Sequence, residues 1–592
     1  MDRPPSQPTR TRARRWSMWL CLGMSLIAVV AAGGACLPFE SVRRWLDQQA
    51  GDGSADPYTP ELHQRLSLTL IILSVLCALA AGLVWRSADR LRGRIHREVD
   101  ACRRLVSRLW PTDRHVLACM LGAGLVATLI RAEHLVQPMR FDEAYTDLQY
   151  AAQPLYVTVS KYDAPNNHVA HSVLVWGSTR IFGDSPAAIR LPAFLAGVLT
   201  VVATCCLAGR WGGPTAGLLA GLVVSVWSPL VEYSVNARGY TLLHLLVVLM
   251  LLVADEWLAR PRRPAAIALG VLGGLALWTI PTAAFAWLML LSMLALCTVG
   301  EESPARRRRR WRELLLSGLL TILVTLFLYS PILLVSGWRS LIPGRSASAQ
   351  RIAWSVADEL RHGEISLLFR DQTPWSCGVL ALGLVAALLS NHRQLRRFAR
   401  HWLLGIGACI VLVLLLDLVP PGRTWLFLIP WGVPIAVGGL CELMLKPRRI
   451  VWESFVTVVV GLVCGVVPLV ELRRNDSVNA SQETGVCPDA AAIIREFRDQ
   501  LRAREPILAT SPTSAPLVYY ARREGLDLRH FDPVRRDVAI PDEAYVVLSR
   551  TPQQTVKGVL EELRLEGTYS VDTSFVPRVF PSAWVYRLQR TR

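Results

Sequence analysis

Lysine is almost missing from this sequence. It occurs only at positions 161, 446 and 557, so the 64 basic residues are nearly all arginine. Charged residues make up 19% of the 592 positions, too few for a disordered chain, which is rich in charge and poor in apolar residues. There are 13 cysteines but no C-x-x-C, and beyond residue 472 only Cys487 remains. An internal disulfide is excluded there, and zinc or dithiol chemistry has no spacing to build on. What is abundant is apolar sequence: 52% of residues are hydrophobic and the mean hydropathy is +0.34. The apolar residues fall in long unbroken runs, which excludes an ordinary soluble enzyme.

A bilayer core needs about 20 apolar residues as a helix. Thirteen candidate spans lie between residues 17 and 471, among them 190–208, 215–231, 241–259, 314–336, 424–443 and 453–471. Loop charges orient them. The arginine-rich stretches 10–16, 86–114, 260–263, 306–312, 392–401 and 446–449 alternate with loops poorer in basic residues, 38–65, 131–189, 232–240, 337–373 and 419–423. By the positive-inside rule the first set is cytoplasmic, which puts the N-terminus inside and the C-terminus outside, in a cell membrane. The net charge of +18 therefore reads as membrane-flanking loops. The run at 306–310, lying between two spans, is a topology signal and not a nucleic-acid patch. The first span has the basic lead and small-residue end of a secretory signal, but its length and the close second span favour an uncleaved anchor.

Three parts are expected. Residues 1–114 form an N-terminal transmembrane hairpin with a basic cytoplasmic segment. Residues 115–471 form the core, with external loops 131–189 and 337–373. Residues 472–592 form a small extracytoplasmic α/β domain, with buried strands at 507–510 and 545–549 and helices at 489–503 and 552–565. Loops as long as 131–189 are usually functional when they are not disordered. This one carries Asp142 and Glu143 where a hydrophobic helix ends, and acids at a membrane boundary are costly unless solvated or used. As an isolated pair they would simply end the helix.

Their context says more. Asp142-Glu143 with Tyr145, then Asn166-Asn167-His168, then RIFGDSPAAIRLPAFLAGVLTV (180–201) and SPLVEYSVNARGYTLLHLL (228–246) together resemble the membrane-embedded glycosyltransferases of the C superfamily. They are most similar to glycosyltransferase family 39 and its bacterial relatives, a group that includes protein O-mannosyltransferases and the aminoarabinose transferases acting on lipid A. PGRTWLFLIP (421–430) is similar to a late segment of the same family. The resemblance covers 115–260 well, 261–471 loosely, and 1–114 not at all. It implies a polytopic α-helical C-type fold of about eleven to thirteen spans, in keeping with the 13 apolar runs, with the first Asp of the first external loop as the catalytic residue.

The chemistry fits independently. An active site outside the cytoplasm has no nucleotide sugars, so its donor must arrive on a lipid, a polyprenyl-phosphate sugar. Phosphate leaves as a stable anion without a protonating acid. The reaction then needs a base for the acceptor hydroxyl and cations for the phosphate. Asp142 is the expected base, with Glu143 assisting or positioning. Arg238 and Arg423 are the foremost phosphate ligands by resemblance, with Lys161 and Arg140 as further cations on the same face. Arg190 reads as an arginine snorkelling at a span end. Tyr145, Asn167, His168 and Tyr240 are candidates for the substrate pocket. Metal dependence is undecided: a divalent ion would find Asp142, Glu143 and His168 but no ligand cluster. His244 reads as a packed histidine within a span, whereas Asp417 and the lid tryptophans Trp338, Trp354 and Trp375 keep functional weight. The expected partners are the lipid-linked sugar, an acceptor protein or glycan, and membrane lipid. Rival readings are a flippase of lipid-linked sugars, whose charges would sit near the midplane, and a silent envelope scaffold.

Overall fold

The computed structural model describes residues 9–50, 58–86, 88–341, 364–417, 419–445, 457–502, 505–526, 528–531 and 541–591. Among these residues seven helices are long and apolar enough to cross a bilayer: Met18–Ala35, Pro60–Arg86, Arg114–Ala132, Pro186–Val226, Tyr240–Ala259, Pro304–Val335 and Arg393–Leu415. Shorter apolar helices join them at Arg263–Thr279, Ala283–Val299, Pro374–Leu388 and Leu428–Leu445. The chain is a multi-pass helical membrane protein.

Two expected spans, 190–208 and 215–231, are the halves of Pro186–Val226. Gly213 breaks that helix with φ 75° and ψ −172°, a backbone state that a side chain disfavours. The halves fold back on each other so closely that a Cβ at Gly217 would lie 2.9 Å from the Cys205 carbonyl oxygen. The second half stops at Val226, short of 231, because Pro229 opens a separate helix, Ser228–Ser234, that walls the site below. The last expected span, 453–471, is described from 457 onward and ends in the helix Val467–Arg474.

Helix Tyr240–Ala259 sets the scale of the bundle. Its 20 residues span about 30 Å at 1.5 Å each, one hydrocarbon thickness. At its far end Asp255 pairs with Arg210 (2.8 Å) and accepts from the Trp211 indole (3.0 Å). Glu256 there faces Arg108 at 3.5 Å, and Arg310, from the run 306–312, donates to the Leu258 carbonyl at 3.1 Å. Arg108 of the segment 86–114, Arg210 and Arg310 of the segment 306–312 therefore gather at one end of the bundle, beside the buried acids Asp255 and Glu256. Tyr240 stands at the other end, with the candidate site.

The two N-terminal helices, Thr9–Ala35 and Pro60–Arg86, pack mainly on each other and leave apolar side chains such as Leu26 and Leu83 exposed. The amphipathic helix Ala88–Leu109 is tied to the core at its end, where Leu105 is buried in the main apolar cluster.

Near the C-terminus the chain forms a small mixed sheet. Its strands are β1 (Ile507–Leu508), β2 (Glu543–Ser549), β3 (Tyr569–Val571), β4 (Arg578–Val579) and β5 (Ala583–Arg590), in the order β1-β2-β5-β3 with β4 also on β5. β1 and β2 are parallel and the other pairs antiparallel. The expected strands 507–510 and 545–549 are β1 and β2. Strands β3 to β5 were not anticipated, although WVYRLQR in β5 alternates in the manner of a half-buried strand.

Candidate active site

The site is built where the helix Arg114–Ala132 has ended and the chain turns at residues 140–147. Arg140 precedes the short helix Phe141–Thr146, and Glu143, three residues on, accepts the Arg140 backbone N–H at 2.9 Å. This fixes the first turn in the manner of a capping box. Adjacent residues on a helix point about 100° apart, so the turn sends its two acids to different surroundings.

Glu143 is fully buried. Its Oε2 accepts from the Arg190 Nε (3.0 Å) and the Ala237 N–H (3.0 Å), and its Oε1 takes the second Arg190 contact besides the Arg140 N–H. Arg190 is completed by the carbonyls of Leu135, Gln137 and Pro138 at 2.6 to 3.0 Å. The snorkelling reading of Arg190 is thus corrected. A buried carboxylate recruits it, because a charge of either sign left alone there is far costlier than the pair.

Asp142 is different. Its side chain is 15% exposed, with Arg238 Nη2 at 3.7 Å and Asn166 Nδ2 at 3.4 Å. Arg238 is held only by neutral oxygens besides, Thr146 Oγ1 and Asn166 Oδ1, each at 3.3 Å. Arg423 donates to the Tyr240 hydroxyl (3.0 Å) and the Glu483 carbonyl (3.3 Å). Tyr240 foremost, then Tyr233, Asp142 and Glu483, hold Arg423 more firmly charged than an ordinary arginine, against its burial. His168 accepts the Gly239 N–H on Nδ1 at 2.8 Å and meets the Tyr240 ring edge-on at 5.0 Å. Burial first, then Arg238, His171 and Arg423, keep its imidazole well below the usual histidine range, so it is neutral. Asp142, Arg238, Arg423, His168 and Tyr240, drawn from three separate sequence regions, therefore meet in one place.

The other candidates stand apart. Arg140 is buried and pairs with Glu232 at 2.9 Å, adding the Val478 and Ser481 carbonyls. Glu232 also binds Arg370, whose Nε reaches Ser228 Oγ at 3.1 Å. Lys161 lies at the rim, donating to Gln149 Oε1 (2.8 Å) and facing Asp163 at 3.5 Å. Asn167 shapes the loop, donating to the Thr158 and Lys161 carbonyls and accepting from Ser172; its neighbour Asn166 is the one that reaches Asp142. Tyr145 stacks near Phe141, ring centres 6.1 Å apart. His244 is buried within its helix, Trp338 and Trp375 are exposed, Asp417 caps the helix Arg393–Leu416, and Trp354 falls outside the described residues. Glu232 was not anticipated, although a lone acid inside the apolar run SPLVEYS is itself a signal. Among the described residues no three His, Cys, Asp or Glu side chains gather as a metal site.

An apolar cavity of about 590 Å³ is lined by Trp227, Leu368, Trp402, Trp425 and Leu428 among others, Trp425 lying two residues beyond Arg423 in the chain. The bundle thus brings together at one end an accessible carboxylate, arginines held by neutral oxygens and an apolar slot. The chain is similar to a known family in sequence and to solved structures in fold. Residues 167–335 match the family model described as dolichyl-phosphate-mannose-protein mannosyltransferase, a segment that contains His168, Arg190 and Arg238. Apo ArnT from Cupriavidus metallidurans is similar in structure with a TM-score of 0.50 and 16% identity, covering 80% of this chain and 97% of that one. ArnT from the same organism bound to undecaprenyl phosphate gives 0.47 at the same identity and coverage. The Archaeoglobus fulgidus oligosaccharyltransferase, complexed with Zn and sulfate, gives 0.49 at 10% identity, over 79% of this chain and 72% of that one. No curated protein matches in sequence. The resemblance to family 39 and the C-type fold stands, with a small sheet added near the C-terminus.

Proposed function

We propose that this protein moves a sugar from a polyprenyl-phosphate donor to an acceptor hydroxyl of a protein, glycolipid or envelope polymer, at the extracytoplasmic end of the bundle. The observation that carries the reading is the contrast in charge saturation around one carboxylate. Asp142 and its two arginines make long or neutral contacts, whereas the surrounding ion pairs are closed. Arginines held by hydroxyls and carbonyls can exchange those partners for phosphate oxygens, a charge-assisted interaction roughly twice as strong as a neutral one. The cavity lined by Trp425 and Leu428 is apolar, as a polyprenyl tail requires.

In the reaction the acceptor oxygen attacks the anomeric carbon and the bond from that carbon to the phosphate oxygen breaks. Asp142 takes the hydroxyl proton, and Arg238 and Arg423 receive the departing polyprenyl phosphate. Tyr240 accepts from Arg423, and His168 holds the Gly239 N–H next to Arg238; no nucleotide-binding element is needed. Gathering of Arg108, Arg210 and Arg310 at the opposite end supports an N-terminus in the cytoplasm and a C-terminal sheet outside. A transporter would place its charges near mid-bilayer, and here they sit one full helix length from the cytoplasmic cluster.

Purified protein assayed with polyprenyl-phosphate sugars and with nucleotide sugars tests the proposal. Turnover of the lipid donor alone is expected. Full activity with a nucleotide sugar, or lipid-donor translocation with no transfer product, would overturn it.

A further inference from the structure

The segment joining the last membrane helix to the C-terminal sheet touches the turn bearing Asp142, the turn before Arg238, and Arg423. Residues 475–487 follow the helix Val467–Arg474 and run back to the catalytic turn. Phe141 N–H donates to the Gly485 carbonyl at 3.0 Å and Asp142 N–H to the Thr484 carbonyl at 3.1 Å, while Arg140 and Val486 form an antiparallel bridge. Thr484 Oγ1 accepts from Asn236 Nδ2 at 3.0 Å and from Arg140 Nη1 at 3.3 Å. Asn236 stands two residues before Arg238. Arg423 reaches the Glu483 carbonyl, and Arg370 donates to Ser481 Oγ at 3.1 Å. The approach is close: at Gly485, φ is 69° and a Cβ would sit 2.8 Å from the Phe141 Cβ.

We infer that residues 478–486 are part of the active site, with Thr484 as the positioning residue that holds Asp142 in register with the turn bearing Arg238. This rests on the roles proposed above for Asp142 and Arg238. A hydroxyl oxygen has two lone pairs, and Thr484 spends both on donors from the two loops that must be aligned. Thr484, Asn236 and Arg140 are all at least 98% buried, so without the hydroxyl Asn236 Nδ2 loses its acceptor where water cannot replace it, and Arg140 Nη1 falls back on Glu232 and the Ser481 carbonyl, which no longer tie it to the Arg238 turn through Thr484. The loops then shift, and misplacement by about 1 Å can cost up to about 10²-fold in rate. The soluble part of the chain is on this view a component of the catalytic centre. It is seated there independently by Arg522 on Asp147 (2.6 Å) and the Tyr520 hydroxyl on Met139 N–H (3.1 Å).

Full-length Thr484→Val, Thr484→Ser and Asn236→Ala, with their wild type, test this in two ways. In the transfer assay Thr484→Val should lose about 10-fold in kcat with donor KM within about twofold, and Thr484→Ser should recover most of the loss. Asn236→Ala removes the same hydrogen bond from the other side, so it carries the test if the valine variant does not fold. The double variant should fall no further than the worse single one. In hydrogen exchange, peptides covering 138–147 and 234–240 should exchange faster in Thr484→Val, with distant helices unchanged. Wild-type kcat in Thr484→Val, additive losses in the double variant, or unaltered exchange at both peptides would overturn the inference. Wild-type protein inert toward every polyprenyl-phosphate sugar would sink the functional reading instead, and the exchange result would then judge the strap by itself.

Discussion

Asp142 and Glu143 are neighbours in sequence and opposites in environment. Glu143 receives four donors, one from its own turn, one from the turn before Arg238 and two from Arg190. Asp142 has an amide at 3.4 Å and a guanidinium at 3.7 Å, and remains partly open. The same division runs through the arginines: Arg140 and Arg190 are closed by buried carboxylates and carbonyls, Arg238 and Arg423 by hydroxyl, amide and carbonyl oxygens. Counting what each charge already holds separates groups that build the site from groups free to act in it.

The sharpest way to break this division is Asp142→Asn, which keeps shape and removes the proposed base. Transfer should fall about 10²–10⁴-fold with thermal stability unchanged; wild-type turnover would end the assignment of Asp142. Glu143→Ala should do the reverse in kind. It leaves Arg190 buried without its counter-charge, a loss of about 3–5 kcal/mol, seen as a large drop in melting temperature, with Glu143→Gln in between. A Glu143→Ala protein as stable as wild type would show that its contacts carry no structural weight.

The arginines sharpen the comparison further. Arg238→Ala and Arg423→Ala should each weaken use of the lipid donor by about 1.5–3 kcal/mol, roughly 10- to 100-fold, with little thermal cost. Arg140→Ala should mainly destabilise, and moderately, since Glu232 keeps Arg370. Donor kinetics together with melting curves for the three variants would expose any exchange of roles.

The smallest effect is in pH. Burial first, then Arg238, depresses the folded-state pKa of both His168 and His171, the latter to about 3. Below the unfolded value of about 6.5 the unfolded chain binds protons that the folded chain does not. Stability is therefore full above that pH and falls as pH drops toward the folded pKa, by up to about 1.4 kcal/mol per unit for each histidine. Melting temperatures between pH 7 and 5 should decline, and less steeply in His171→Gln; an identical slope in the variant would contradict a neutral buried His171.

By itself the sequence determined the membrane body, because apolar run length and arginine placement act locally and additively. It also singled out Asp142, Arg238 and Arg423, where short polar motifs interrupt apolar runs and resemble a known family. It ranked Asp142 above Glu143, and Arg238 above Arg140, only through the family resemblance, since residue type says nothing about how many partners a charge will meet. The physical ground of that ranking depends on Arg190, Glu232 and Thr484, which lie 47, 92 and 344 residues from their partners. Only the tertiary structure brings them near, and burial in a low-dielectric interior is what makes each such meeting decisive.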